Sequence, residues 1–359
     1  MLQFNHLKKG IFFVFLLIQS VVYSQVINGY AKVTNVSGAV LTLSNVNEAA
    51  DSFEDDEWVV IMQMQDNVIG TTTNSAGFGN LGSILSAGLF EIRQIDSHTE
   101  SGGSPATITL KNPPTNTYNT GSNSSVQIIT YRELGSPNYT TTSNISALDW
   151  DGNVGGVVAM HIEGTLTLQH SIDADAAGFR GGSRSANYNG PICTAANTTV
   201  YRINSNRYGY KGEGIFKRTA ADQLNGRGKI LNGAGGGSHH NGGGGGGGNF
   251  SDGGQGGNGW NNCTTHPAGG LGGLSLAAEI TGSRVFMGGG GGGGQQNNGR
   301  SRDGGNGGGI VLIHANEIVT SCGGSLSISA NGIGPLTSGT NDGGGGGGAG
   351  GSLVFWVET

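Results

Sequence analysis

Short apolar runs without a helical period fill residues 25–150. The runs are AKVTNVSGAVLTLS, WVVIMQMQ, GLFEIRQI, ATITLKN and SVQIITYREL. Alternating or β-branched runs of this length, bounded by Gly, Asn, Asp, Ser and Pro, predict antiparallel strands. We therefore predict an all-β chain that begins with a β-sandwich-like domain over residues 25–149, with a barrel-like sheet as the alternative.

The pattern changes at Trp150 to a repeated unit. GGVVAMHIEGTLTLQHSIDADAAGFRGG (155–182) and GGIVLIHANEIVTSCGGSLSISANGIG (308–334) share a glycine pair, an apolar strand, a second alternating strand and a small-residue turn, and a third copy begins at Gly350. Repeats that each bury one face typically stack as rungs. The second domain, residues 150–359, is therefore predicted to contain a β-solenoid-like unit of stacked parallel strands.

Glycine composition adds another feature to this domain. The 359 residues include 72 Gly, of which 46 lie in the segment 235–351. Collagen is excluded because Gly does not recur at every third position and Pro is scarce. A flexible linker is disfavoured because the runs lie inside a repeat and carry large apolar residues at their edges. These edge residues are Phe250, Trp260, Leu271, Phe286 and Met287.

The glycine runs are instead predicted to form an inserted polyglycine II helix bundle. Runs 242–248 and 288–294 would each span about 22 Å as extended helices with three residues per turn, and the run 343–348 supplies a third. Such helices have no internal hydrogen bonds, so their N–H and C=O groups must bond to neighbouring helices. Only Gly allows helix axes to approach closely enough.

An export signal is predicted over residues 1–24. Lys8 and Lys9 precede an apolar run from Ile11 to Ile18, and we expect cleavage near Ser24. No segment is apolar for long enough to span a membrane. Cleavage leaves 16 basic and 24 acidic residues, a net charge of 16 − 24 = −8. This charge disfavours nucleic acid and anionic membranes as partners, and the signal predicts a secreted, extracellular or outer cell-surface location.

Three cysteines follow the signal. In an oxidising setting Cys193 and Cys263 are candidates for a disulfide, because both lie in polar, aromatic-bearing segments beside the glycine tract. Cys322 would then be left unpaired. Three free thiols are the alternative.

Candidate metal ligands form two small groups. The first consists of His239, His240, Asp252, Cys263 and His266. It lacks zinc-site spacing. In LDWDGN, Asp149 and Asp151 either ligate Ca²⁺ or form a turn that caps Trp150. The acidic segment 51–57 does not match an EF-hand loop and is interpreted as a solvated turn, so Ca²⁺ is the one candidate cofactor.

Catalytic motifs are sparse. Asp173 and Asp175 share one strand face near Arg180, as paired acids do in carbohydrate-active solenoids, but a salt bridge or a turn explains them more simply. No nucleophile elbow, phosphate loop or dinucleotide fingerprint accompanies the glycine runs. We therefore expect a protein that is not an enzyme, with a carbohydrate-active enzyme as the alternative and an ice-binding protein as a weaker one.

The loops beside the glycine runs are rich in amides and aromatics, which hold glycans by matched hydrogen bonds and ring stacking. The candidate ligand contacts are Trp260, Asn261, Asn262, Gln295, Gln296, Asn297, Asn298, Tyr208 and Tyr210. The predicted partner is a glycan or a cell-surface polymer. The alternative is that these side chains bond only to their own loop backbones.

Taken in order, several segments resemble glycine-rich surface proteins of gliding bacteria that use type IX secretion. They include WVVIMQMQ, LDWDGNVGGVVAMHIEGTLTL, NGGGGGGGNFSDGGQGGNGW, RVFMGGGGGGGQQNN and DGGGGGGAGGSLVF. The resemblance covers nearly all of the mature chain and implies adhesion or a structural role, with other surface proteins as further partners. It also implies further repeats and a C-terminal sorting domain, so a chain that stops at Thr359 would be a fragment or would be exported only to the periplasm.

The glycine part alone is more loosely similar to two other groups. These are the tip adhesins of some phage tail fibres and the glycine-rich region of anaplastic-lymphoma-kinase-type receptors. In both, a polyglycine bundle is a rigid scaffold for loops that contact a partner. This similarity implies a fold more than a ligand.

Overall fold

The computed structural model describes residues 24–66, 69, 73–187, 200–238, 240–260, 269–320, 326–335 and 341–358. The strands are β1 Tyr30–Ser37, β2 Val40–Asn47, β3 Trp58–Gln65, β4 Phe90–Ser101, β5 Ser104–Leu110, β6 Ser125–Thr130, β7 Arg132–Glu133, β8 Tyr139–Thr140, β9 Ile145–Ser146, β10 Val157–Leu168, β11 Ile172–Asp173, β12 Ile310–Thr320, β13 Ile328–Ser329 and β14 Ser352–Val357. Two short 3₁₀-helices are described, Ala221–Gln223 and Ala277–Glu279. The all-β prediction is confirmed.

The first six strands form a closed antiparallel barrel in the order β1-β2-β5-β4-β3-β6. β6 pairs with both β1 and β3, since Ile129 lies opposite Tyr30 on one side and Val60 on the other. The predicted antiparallel strands are therefore present, but they do not form a sandwich. One sheet closes on itself, which removes both edges without a second layer.

Strand β3 is buried on both faces. Val59 and Ile61 point into the barrel core, whereas Val60 and Met62 belong to a second core outside the barrel. That second core also contains Phe286, so it joins the barrel to the C-terminal part of the chain. Burial on both faces explains why the run WVVIMQMQ is nearly continuous in apolar residues.

The two repeat copies pair strand for strand. β10, β12 and β14 are parallel, with Val157 opposite Ile310 and Ile310 opposite Ser352, and β7 and β8 extend the sheet beside β10. The second strands of the copies form a smaller parallel sheet, β9-β11-β13. Val158 and Ile313 pack in a core shared by the two sheets. The predicted parallel strands are confirmed.

The glycine runs exchange backbone hydrogen bonds with a period of three residues. In the run 242–248, Gly243 and Gly246 donate to segment 253–257, while Gly244 and Gly247 donate to segment 343–348. The N···O distances are 2.8–2.9 Å. Three residues per turn is the period of a polyglycine II helix, and each third of the helix faces a different neighbour.

The run 288–294 lies at the centre of this arrangement. It donates hydrogen bonds to three segments, 210–213, 242–248 and 302–308, and accepts them from three others, 179–185, 234–237 and 346–349. Six neighbours around one helix satisfy both the N–H and the C=O groups of a backbone that has no internal hydrogen bonds.

Close approach explains why these positions are glycine. A Cβ atom on Gly292 would lie 1.9 Å from the carbonyl oxygen of Gly235, and one on Gly346 would lie 1.8 Å from that of Gly245. Both distances are far inside van der Waals contact. Any side chain at these positions would force two helix axes apart and break the hydrogen bonds between them.

Candidate functional site

A cleft of ≈ 620 Å³ lies at one end of the glycine bundle. Runs 242–248 and 343–348 begin at this end, and runs 253–257 and 288–294 finish there. The cleft is lined by residues just outside the runs, namely His240, Asn241, Asn258, Gly259, Trp260, Asn297, Asn298 and Asn341. Four hydrogen-bonded helices thus fix the positions of the side chains around one opening.

Trp260 is the exposed aromatic side chain of this cleft. Its side chain is 55% exposed, and its ring lies 5.3 Å from the His240 ring at an angle of 47°. The Trp260 N–H donates to the His240 carbonyl over 2.9 Å, which holds the end of its loop against the bundle. An exposed indole fixed in this way offers a flat apolar face to a ligand.

Amide groups surround the indole. Asn297 Nδ2 lies 3.0 Å from His240 Nε2, and Asn241 Nδ2 donates to the Asn341 carbonyl over 2.9 Å. Among the described residues, His240 Nδ1, Asn241 Oδ1 and Asn297 Oδ1 are buried without a hydrogen-bond partner. The described residues that line the cleft include no carboxylate, Lys or Arg. Its chemistry is therefore that of donors and acceptors without a permanent charge.

Two predicted contacts, Gln295 and Gln296, belong to the scaffold instead. Both are buried, at 0% and 6% exposure. Gln295 Oε1 accepts from the Asn241 N–H over 2.6 Å, and Gln296 Nε2 donates to the Ser185 carbonyl over 2.7 Å. The amides of this pair bond to loop backbone, as the alternative interpretation from the sequence expects, and we assign them no ligand contact.

The predicted tyrosines lie elsewhere in the bundle. Tyr208 is buried, Tyr210 is half-buried, and neither lines the cleft. The Tyr210 N–H donates to the Ser183 carbonyl, so this segment is one of the helices beside the central run. Asn258 and Asn341, which do line the cleft, were missed. Their shared signal in the sequence is a position next to a glycine run.

Several candidates fall outside the described residues. They are Asn261, Asn262, Cys193, Cys263, Cys322, His239 and His266. The disulfide prediction and most of the histidine-rich set therefore stay predictions. Of that set, Asp252 accepts a hydrogen bond from the Ser275 N–H over 2.6 Å, which is a structural role.

The carboxylate of Asp151 closes a turn. Its Oδ1 accepts from the Asn153 and Val154 N–H groups over 2.7 and 2.9 Å, beside the buried Trp150. This contact favours the turn interpretation over Ca²⁺ for Asp149 and Asp151. Within the described ranges, no group of three or more His, Cys, Asp or Glu side chains is arranged to hold a metal ion.

Asp175, one acid of the alternative catalytic site, joins the two repeat copies. Asp175 accepts hydrogen bonds from the backbone N–H and the Nδ2 of Asn331 in the next repeat copy, over 2.6 and 3.2 Å. Burial raises the pKa of Asp173. Arg180 pairs with Glu213 at 2.6 Å and donates to the Asp151 carbonyl. The predicted salt bridge of Arg180 therefore exists, but with Glu213.

No helix in the described part of the chain is long and apolar enough to cross a membrane. In comparisons with known proteins, the chain matches no protein family, no curated protein and no solved structure.

Proposed function

We propose that the chain is an exported adhesion or structural protein of the cell surface, and that the cleft around Trp260 binds an uncharged glycan. The observation that carries this proposal is an exposed, fixed indole surrounded by amides at the end of a rigid bundle. The predicted export signal supports placement outside the cytoplasm.

The chemistry of the cleft fits a sugar better than a charged ligand. Sugar rings present C–H faces that stack on an indole, and their hydroxyl groups donate and accept hydrogen bonds. The side chains of Asn241, Asn258, Asn297, Asn298 and Asn341 line the cleft and supply amide donors and acceptors around the indole. A phosphate or carboxylate ligand would meet no Lys or Arg among the described residues of the lining.

The bundle supports high affinity by holding the cleft in place before the ligand arrives. His240, Trp260 and Asn297 each sit within three residues of a hydrogen-bonded glycine run. A preorganised site avoids the entropy cost of ordering loops when the ligand binds. A rigid support of this kind is what an adhesive surface requires.

The repeat supports the finer assignment of a β-solenoid. Val311 and Ile313 on β12 are fully buried, whereas Leu353 and Phe355 at the aligned positions of β14 are 42% and 43% exposed. Each rung thus buries its apolar face only where further strands cover it, which is the behaviour of stacked repeats.

A glycan array with the purified chain tests the function. We expect binding to one or more neutral oligosaccharides, and a loss of about tenfold or more in affinity for Trp260→Ala. Phe250→Ala is the matched control, because Phe250 is 75% exposed at the opposite end of run 242–248 and should have no effect. Unchanged binding by Trp260→Ala, or no glycan bound at all, would contradict the proposal.

A further inference from the structure

A second cleft lies between the barrel and the parallel sheet and has two lobes. The polar lobe, ≈ 470 Å³, is lined by residues that include Asp51, Asp56, Glu57 and Arg132. The apolar lobe, ≈ 270 Å³, is lined by residues that include Ile92, His161 and His314. Trp58, Tyr131 and Glu133 line both lobes, so the two lie side by side. Small-molecule sites commonly occupy about 300–1,000 Å³.

Aromatic rings form one wall of this cleft. The Tyr131 ring lies 6.1 Å from the His161 ring at an angle of 19°, and the His161 and His314 rings are 4.8 Å apart. The strand register brings these side chains together. Across β7, β10 and β12, it aligns Glu133, His161 and His314. Trp58 stands at the shared boundary with 46% of its surface exposed.

Tyr131 has an unsatisfied polar group beside the cleft. Its side chain is only 7% exposed, and its hydroxyl group is buried without a hydrogen-bond partner among the described residues. Leaving a buried hydroxyl group unpaired costs roughly 1–3 kcal/mol. A hydrogen bond from a ligand would remove this cost only after a neighbouring side chain moves, because the hydroxyl oxygen is not accessible from the cleft in this conformation.

The charge of the cleft is strongly negative. Its lining contains the carboxylates of Asp51, Asp56, Glu57 and Glu133 and one guanidinium group, that of Arg132, which gives 1 − 4 = −3. Burial raises the pKa of Asp51, and burial together with the nearby Asp51 carboxylate raises that of Glu57. Asp56 also pairs with Lys111. A cation between these groups would relieve both the desolvation and the repulsion.

We propose that this cleft binds a small organic cation, an alkyl-substituted ammonium group on a short apolar stem. The exposed face of Trp58 and the ring of Tyr131 suit the ammonium group by cation–π attraction, and the carboxylates neutralise its charge. The apolar lobe takes the stem. An inorganic cation would use the polar lobe alone and leave the aromatic wall without a role. This inference does not depend on the glycan proposal, because the two clefts share no residue.

Choline and its neutral isostere 3,3-dimethylbutan-1-ol make the decisive pair of probes. Titration of each into the purified chain, followed by Trp fluorescence and calorimetry, should give saturable binding of choline and none of the isostere at the same concentrations. We expect Trp58→Ala to weaken choline binding roughly tenfold and Glu133→Gln to weaken it by a smaller factor. Phe250→Ala, another exposed aromatic, should leave it unchanged.

Two further titrations, with phosphocholine and with Ca²⁺, test whether the cleft prefers a simple organic cation. Phosphocholine should bind more weakly than choline, because its phosphate would meet the same carboxylates; tighter binding of phosphocholine would contradict the charge argument. Ca²⁺ titration tests the inorganic alternative. Equal binding of choline and the isostere, no choline binding at millimolar concentration, or an unchanged choline affinity in Trp58→Ala would each overturn the proposal, provided that the variant keeps the circular dichroism of the parent.

Discussion

The barrel and the glycine bundle both satisfy the hydrogen bonds of a buried, extended backbone, but one does so with packed side chains and the other without them. In the barrel, a ladder between strands satisfies the backbone and alternate side chains such as Val59 and Ile61 fill the core. In the bundle, the run 288–294 has no side chains at all, and six neighbouring segments satisfy its backbone directly. The barrel is stable because it buries side chains, and the bundle because it excludes them.

The comparison predicts opposite responses to mutation. Removing methyl groups should harm the barrel, while adding one should harm the bundle. The cost in the bundle should also depend on which of the three faces of a helix receives the methyl group, because only some faces contact another helix.

The largest effect is expected from one substitution in the run 343–348. Gly346→Ala would place a Cβ 1.8 Å from the Gly245 carbonyl oxygen, so we expect a loss of roughly 4 kcal/mol or more, or failure to fold. Gly344→Ala is the matched control, because its Cβ would meet no atom within 4 Å. Urea denaturation measures both variants.

The control itself carries a prediction. Alanine restricts the unfolded chain more than glycine does, so Gly344→Ala should be neutral or stabilising by up to about 1 kcal/mol. Similar destabilisation by the two variants would show that the run 343–348 does not pack as described. Amide exchange as fast at 288–294 as in a free peptide would lead to the same conclusion.

A smaller loss is expected from a cavity in the barrel. Ile61 is fully buried, so Ile61→Ala should lower the free energy of unfolding by roughly 2–5 kcal/mol. Val40→Ala, on β2 of the same barrel and 38% exposed, should cost about 0.5 kcal/mol or less. Equal costs in urea denaturation would mean that the interior of the barrel is not tightly packed.

The smallest effect concerns a buried cation in the glycine-rich part. Lys211 is 1% exposed, and its Nζ donates to three carbonyl groups, those of Tyr201, Gly226 and Gly228. Burial, with a contribution from the Arg218 guanidinium, lowers the pKa of Lys211 well below its ordinary value. Between the folded and the unfolded pKa, the unfolded state therefore holds more protons on this residue.

Stability from Lys211 should therefore increase as the pH rises through that interval, by at most about 1.4 kcal/mol per pH unit. Lys211→Met should remove this increase whatever its own stability is. The measurement is the free energy of unfolding of parent and variant between pH 7 and pH 10. Parallel curves would show that Lys211 has the same pKa in both states.

The repeat was the most informative part of the sequence. The copies at 155–182 and 308–334 predicted strands that pair, and they do pair in parallel register. The closed barrel was harder to predict, because closure depends on the contact of β1 with β6, which are about 100 residues apart. Local alternation is the same in a sandwich and in a barrel.

The candidate site was likewise predicted only in part from the sequence. Trp260 and the amides of Asn297 and Asn298 were found as types of residue beside a glycine run, and they line the cleft. Gln295 was indistinguishable from them by composition, although it is fully buried. In a helix with three residues per turn, one step along the chain changes a surface position into a packed one, and only the neighbouring helices decide which it is.

Glycine content, the strand repeat and the strand-forming runs are properties of the sequence, and they determined an all-β protein with closely packed extended segments. The tertiary structure alone decided that the first sheet closes and that six segments surround the run 288–294. It also decided that Glu133, His161 and His314 align beside Trp58. The physical reason is that a chain carries its local conformational preferences in its own residues, whereas each of these arrangements depends on partners brought together from distant positions.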